Sequence, residues 1–214
     1  MCGRFTLLVD LSLIKESFHI QEVASDYRPG NNISPTQQIS AIILDGKTKL
    51  VNFRWGLIPS WAKDPSIGNK MFNARAETIA DKPSFREAFK KRRCLIIADG
   101  FYEWQKTETG KKPFHFSLRS GSPFSFAGLY ETWISPDNTP IKTCTIITSA
   151  PNDLLKPIHD RMPVIVPKDK ENVWIDTGVQ DKDELEAILS PYPAGEMKMT
   201  EGFIDYHRIK SRGN

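Results

Sequence analysis

Apolar positions along this chain fall into short clusters whose spacing changes from segment to segment. In "DLSLIKESF", Leu11, Ile14 and Phe18 recur at helical spacing behind Asp10, which predicts a short helix capped by Asp10. "QISAIIL" and "TKLVNFRW" read as two strands, joined through Asp45-Gly46, a hairpin signal. "KPSFREAFKKRR" predicts a second helix starting near Ser84, with Phe85, Ala88 and Phe89 toward the core. Its basic run from Lys90 to Arg93 then suits a solvated helix C-terminus, with a phosphate site as the sharper alternative. "CLIIA", "GFYEWQ", "PFHFSL", "FSFAGLYETW" and "TCTIIT" are strand candidates, with "TETGKK" and "RSGS" as turns between some of them. Later, "NDLLKPIH" predicts a short helix, "MPVIV" a strand and "DKDELEAIL" a helix. "YRPGNNISPTQ" reads as a loop, and residues 56–78 show no clear period. Strands dominate and helices are scattered among them, so the expected class is α+β. No repeat or low-complexity linker divides residues 1–214, which predicts a single domain.

Composition changes this picture little. The chain has 214 residues, 39% of them hydrophobic and 26% charged, with a net charge of +3. That is an ordinary globular balance with enough apolar material for a core. No apolar run has membrane-spanning length, and the N-terminus lacks the zones of a signal peptide, so a cytoplasmic location is expected. The motifs of phosphate-binding loops, dinucleotide folds and zinc proteases are absent. The four histidines are far apart and no cysteine pair has zinc-ligand spacing. Neither a metal nor a nucleotide cofactor is expected.

Candidate chemistry starts with the opening "MCGRF". Cys94 and Cys144 sit in apolar strand candidates and read as small core residues; Cys2 does not. With Met1 removed, Cys2 carries a free amine and a thiol on adjacent carbons. Such an amine is neutral in roughly a tenth of molecules at pH 7. A thiol is activated by a positive neighbour such as Arg4. Against an acyl carbon the thiol attacks and the amine takes the proton. Against an aldehyde the amine condenses to an imine and the thiol closes a five-membered thiazolidine. The plain alternative is a passive residue behind a retained Met1.

Other polar residues widen the field. In "DGFYEW", alternation puts Phe101 and Glu103 on one strand face and Trp104 on the other. A half-buried Glu103 suits proton transfer; a solvent-facing Glu is the alternative. "PIHDRMP" offers His159 as an acid or base and Arg161 as a phosphate ligand, or simply a His–Asp contact capping a turn. In "FNARAET", an extended chain would align Asn73, Arg75 and Glu77 as one polar wall, or as an ordinary surface face. Of the tryptophans in "WGLIPSW", Trp55 reads as core, while Trp61 is open between core and a base-stacking platform.

"MCGRF", "WGLIPSW", "NARAET", "ADGFYEW", "IITSA" and "IHDRMPV" occur here in the order that resembles the SRAP (SOS response-associated peptidase) family. The blocks run from residue 2 to about residue 166. The resemblance implies a compact strand-rich domain, mostly antiparallel, with a charged groove, acting as a monomer on abasic sites in single-stranded DNA. It implies Cys2 as the nucleophile, exposed by self-removal of Met1 and ending in a thiazolidine crosslink, with lyase-like activity beside it. Asn73 would position the reacting groups, Glu103 would transfer protons, and His159 would assist at the sugar or at ring closure. Arg4, Asn32, Pro35, Trp61, Arg75, Trp104, Thr148 and Arg161 match positions that contact DNA. In a bacterium the implied location is cytoplasmic and nucleoid-associated. Three places depart from the pattern: Ala62 replaces a second aromatic, Pro83 replaces a basic residue, and "YHRIKSRGN" matches poorly. Glutamine amidotransferases also begin Met-Cys-Gly, so an N-terminal-nucleophile hydrolase is the competing reading. Arg4 stands where that class expects an apolar residue. A non-covalent single-strand binding module is the third.

Overall fold

The computed structural model describes residues 2–203. The first half of the chain gives β1 (Phe5–Leu7), α1 (Leu11–Ser17), β2 (Glu22–Val23), β3 (Gly30–Ile33), β4 (Gln38–Asp45), β5 (Lys47–Trp55) and β6 (Asn73–Arg75). The middle gives α2 (Arg86–Lys91), β7 (Arg93–Ala98), β8 (Gly100–Thr107), β9 (Gly110–Leu118), β10 (Phe124–Ile134) and β11 (Pro140–Ser149). The last part gives β12 (Met162–Pro163), α3 (Glu171–Ile175), α4 (Lys182–Ile188) and β13 (Met197–Glu201). The class is α+β and strand-rich, as expected.

Two sheets form. One runs β13-β9-β8-β1-β3 and the other β12-β11-β10-β7-β4-β5-β2, with β6 beside β11. Most pairings are antiparallel. A parallel contact between β5 and β11, Thr143 opposite Arg54 and Cys144 opposite Trp55, closes β4, β5, β11, β10 and β7 into a ring. Closure removes the exposed edges that an open sheet would carry. The chain leaves this ring for the other sheet at Asp99, the single residue between β7 and β8. Phe5 sits at the seam, 5.3 Å from Trp55 and 5.9 Å from Phe126 by ring centroids. Phe101 packs there too, against Phe116 and Phe126. One hydrophobic cluster therefore runs through both sheets.

Local signals explain the elements that were legible. Asp10 accepts from the Leu13 N–H at 2.9 Å and starts α1, whose Ile14 and Phe18 are buried. Asp45 pairs with Lys47 around Gly46, whose φ of 67° favours glycine. Phe85, Ala88 and Phe89 are buried at α2, and Cys94, Cys144 and Trp55 are core.

Other expectations need correction. Where a helix was expected over 152–159, residues 153–158 form turns. The Asn152 side chain accepts from the Leu154 and Leu155 N–H groups, and Pro157 brings no N–H to continue a helix. β3 lies inside the stretch read as a loop, its polar residues making an edge strand against β1. "MPVIV" yields only the two-residue β12 and an isolated bridge from Ile165 to Phe126. Arg93 is not a solvated helix end: it begins β7, is 1% exposed, and donates to the carbonyls of Phe89, Lys90, Trp174, Asp176 and Val179. Those five carbonyls replace the water that its guanidinium loses. No helix among the described residues is long and apolar enough to cross a membrane. The departure noted at the C-terminus, "YHRIKSRGN", lies outside the described residues.

Candidate functional site

The site grows from the way β1 meets β8. Phe5 faces Phe101 and Thr6 faces Gly100, and the Tyr102 N–H donates to the Arg4 carbonyl at 2.9 Å. This ladder carries the residues before β1 along β8 toward Glu103. Asp99 fixes it: its carboxylate accepts from the Thr6 hydroxyl at 2.5 Å, from the Val9 N–H at 3.2 Å and from the Leu8 N–H. The Asp99 N–H in turn donates to the Thr6 carbonyl at 2.9 Å. Gly100 is required beside this clamp, because a Cβ there would lie 2.1 Å from His115 Nε2.

β8 sorts its side chains as alternation predicts. Phe101 enters the core and Glu103 follows on that face, 2% exposed. Tyr102 and Trp104 take the other face, their rings 6.3 Å apart, with His115 4.9 Å from Tyr102. Burial drives the Glu103 carboxyl up to about 7, against the pull of the positive amino terminus. At that value it is part acid and part carboxylate near neutral pH.

Two further groups meet Glu103. Cys2 is wholly buried, and its thiol is pushed far up by burial and, secondarily, by the charge of Glu103. Arg4 does not activate it through its guanidinium, as the sequence suggested. That group donates to Asn32 Oδ1 at 2.7 Å, and only the Arg4 backbone helps the thiolate, weakly. His159 brings Nε2 to 4.0 Å from Glu103 Oε2. Its Nδ1 receives the Arg161 N–H at 3.0 Å and lies 2.9 Å from Asp160 Oδ1. The turn contacts and the approach to Glu103 thus coexist. Burial holds the imidazole below its ordinary range, Lys106 pushes the same way, and Asp160 opposes. Glu103, Trp104, Lys106, Lys111 and His159 line a cavity of about 440 Å3.

The remaining predicted residues form separate groups. Asn73, on β6 beside Ile146, donates to the Phe72 carbonyl at 3.0 Å, while its Oδ1 is buried with no partner among the described residues. Arg75 lies opposite Thr148 in the same ladder. Glu77 falls in a 3-10 turn past the end of β6, so the three-residue polar wall does not form. Glu77 instead makes a two-point pair with Arg161, at 2.6 and 2.9 Å, and Arg161 also donates to the Thr148 carbonyl. Pro35 lies in the turn between β3 and β4. Trp61 is 59% exposed and lines a different hollow with Lys63, Asp64 and Lys70. Among the described residues no three His, Cys, Asp or Glu side chains converge as a metal site.

Sequence reading missed Lys106 and Lys111 in the cavity wall and the Thr6–Asp99–His115 cluster behind it. The hairpin turn near "TETG" was the available signal for the lysines, since it sets them opposite each other. Nothing in the spacing of Thr6, Asp99 and His115 announces that they meet.

A buried acid and an imidazole thus meet near a cysteine close to the chain start, within a strand-rich α+β domain, and this fold and site define the class. The family of that class is SRAP: the sequence model described as SOS response associated peptidase matches residues 1–201, and this chain belongs to it. The Bacillus subtilis (strain 168) abasic site processing protein YoqW is 48% identical over 202 residues, covering 92% of this chain and 90% of that protein. The Xenopus tropicalis abasic site processing protein HMCES is 32% identical over 196 residues, covering 76% of this chain and 58% of that one. A crystal structure of a protein from Bacteroides thetaiotaomicron superposes with a TM-score of 0.84 at 27% identity, covering 94% and 91% of the two chains.

Proposed function

We propose that this chain processes abasic sites in single-stranded DNA, capturing the lesion covalently through Cys2. Relatives named as abasic site processing proteins support the substrate class. One observation carries the chemistry: a buried carboxyl held near neutrality lies 4.0 Å from His159 at a cavity of about 440 Å3, and its charge reaches Cys2.

Hydrolysis of the Met1–Cys2 peptide bond, which consumes one water, frees the amine. That amine attacks the aldehyde carbon of the ring-opened deoxyribose. Glu103 in its acid form protonates the oxygen, which leaves as water when the imine forms. The thiol then adds to the imine carbon, its proton passing to nitrogen, and closes the thiazolidine. Aldehyde and aminothiol thus give thiazolidine plus one water. Glu103 is suited to both giving and taking protons because each form is populated near pH 7. His159 holds its Nε2 toward that carboxylate and serves at the sugar hydroxyl or at ring closure. Asn73 orients the reacting groups. Arg4, Asn32, Pro35, Trp61, Arg75, Trp104, Thr148 and Arg161 supply backbone contacts and stacking surfaces to the strand on either side.

Intact-mass spectrometry tests this reading. The protein is expected to lose methionine and then gain the mass of an abasic oligonucleotide less one water. Cys2→Ala is expected to form no covalent product while still binding the strand. Attachment that persists in Cys2→Ala, or after the terminal amine is blocked, would overturn it.

A further inference from the structure

The hairpin β8–β9 places Lys106 directly opposite Lys111. Like charges facing each other across a ladder repel. Their strand neighbour Lys112 is paired, reaching Glu201 at 2.7 Å. Lys106 and Lys111 make no ion pair among the described residues. Both side chains line the cavity that also holds Glu103, Trp104 and His159. The charge of Lys106 reaches the His159 imidazole. Two cations set opposite each other in one cavity wall, beside an aromatic ring, give that wall a positive field suited to an anion.

We propose that Lys106 and Lys111 together clamp the phosphodiester next to the abasic sugar, and so set the sugar's aldehyde against Cys2 and Glu103. The inference rests on the function proposed above. A base-free sugar has no base edge to hold it, so its position must come from the flanking phosphates and from stacking. A pair of ammonium groups straddling one phosphate fixes that point more tightly than one flexible lysine does. The repulsion between the two lysines is relieved when the phosphate enters, which couples the site to occupied DNA.

The test is the capture rate of abasic oligonucleotides by wild-type protein and by K106Q/K111Q, with K106R/K111R as the charge-keeping control. Removing the like-charge pair leaves the hairpin no less stable, so unfolding does not cloud the result. At sub-saturating DNA the glutamine variant is expected to react roughly three- to tenfold more slowly, as two exposed ionic contacts allow. The salt dependence of its rate constant is expected to be shallower by about 0.7 in log–log slope, the value for one phosphate on a single strand. The arginine control is expected to match the wild type. A neutral methylphosphonate on one side of the lesion is expected to slow the wild type but not the glutamine variant. Equal rates and equal salt slopes for wild type and K106Q/K111Q would overturn the clamp, as would a methylphosphonate effect that is the same in both. A wild type that captures no abasic DNA would instead overturn the function proposed above, so the two failures are distinguishable.

Discussion

The protein contains two places where a largely buried carboxyl lies near a histidine, directly at Glu103 and through the Thr6 hydroxyl at Asp99, and they do opposite things. At Asp99, burial raises the carboxyl, yet Thr6, Leu8 and Val9 all donate to it. His115 beside this cluster is pushed down to about 4 by burial and, to a lesser degree, by Lys198. Its Nε2 lies 3.4 Å from the Thr6 hydroxyl. This cluster ties β1 and the residues after it to the junction between β7 and β8. At Glu103, three strand positions past the Gly100 that abuts His115, the carboxyl faces a cavity and His159, and its charge reaches Cys2. Chemistry is available where the polar group borders an opening; where backbone N–H groups enclose it, the same residue types become a fastening. The lesson is that a perturbed pKa alone does not mark a reactive centre.

The contrast can be broken at either end. Glu103→Gln is expected to slow covalent capture on the order of 10²- to 10⁴-fold, the range for loss of a general acid–base group, with no loss of stability. Capture kinetics and urea unfolding measured together check this. A Gln variant as fast as the wild type would move proton transfer elsewhere. Asp99→Ala is expected to act the other way round. It leaves three part-buried donors without their acceptor and should lower stability by roughly 2–4 kcal/mol, while the folded fraction still captures DNA. Loss of all capture in a folded Asp99→Ala protein would show that the fastening also governs the chemistry.

The pH dependence of stability sharpens the comparison further. Glu103 rises from an ordinary 4.5 to about 7 on folding, so the folded state holds the extra proton between these values. Its contribution is present below 4.5 and is lost as pH rises through 7. His115 falls from 6.5 to about 4, so the unfolded state holds the extra proton between those values. That contribution is present above 6.5 and is lost as pH falls through 4. In the wild type the two slopes oppose each other between 4.5 and 6.5. His115→Gln is expected to uncover the falling limb, and Glu103→Gln the rising one, each at most about 3 kcal/mol. Denaturant unfolding across pH 4–8 measures both. Identical pH profiles for wild type and Glu103→Gln would show that the carboxyl ionises normally.

Much of the frame was legible because local chemistry decides it. Asp10, the Asp45-Gly46 hairpin and the apolar face of α2 each act within a few residues. Glu103 was legible for the same reason, since strand alternation fixes its face without long-range information. Cys2 and His159 were singled out each in its own segment, but no local pattern says that they approach Glu103. Cys2 reaches it only through the β1–β8 ladder, and His159 through a turn that the apolar spacing of "NDLLKPIH" disguised as a helix. Arg93 misled because a run of basic residues normally ends at solvent. Here three of the five carbonyls that receive it come from α3 and the segment after it, some 80 residues on, which no local pattern encodes. Asp99 and His115 escaped for the converse reason: each is unremarkable in its own segment and acquires a role only where the chain changes sheets.

The clamp at Asp99 has a consequence for how this chain can vary. With Thr6 anchored, one residue inserted or deleted ahead of it would displace the sulfur by about 3.3 Å, the rise of one extended residue. That step nearly equals the 4.0 Å that separates His159 from Glu103. The spacing from the first peptide bond to the anchor is therefore a ruler, and changes of length there should be tolerated far less well than changes of side chain.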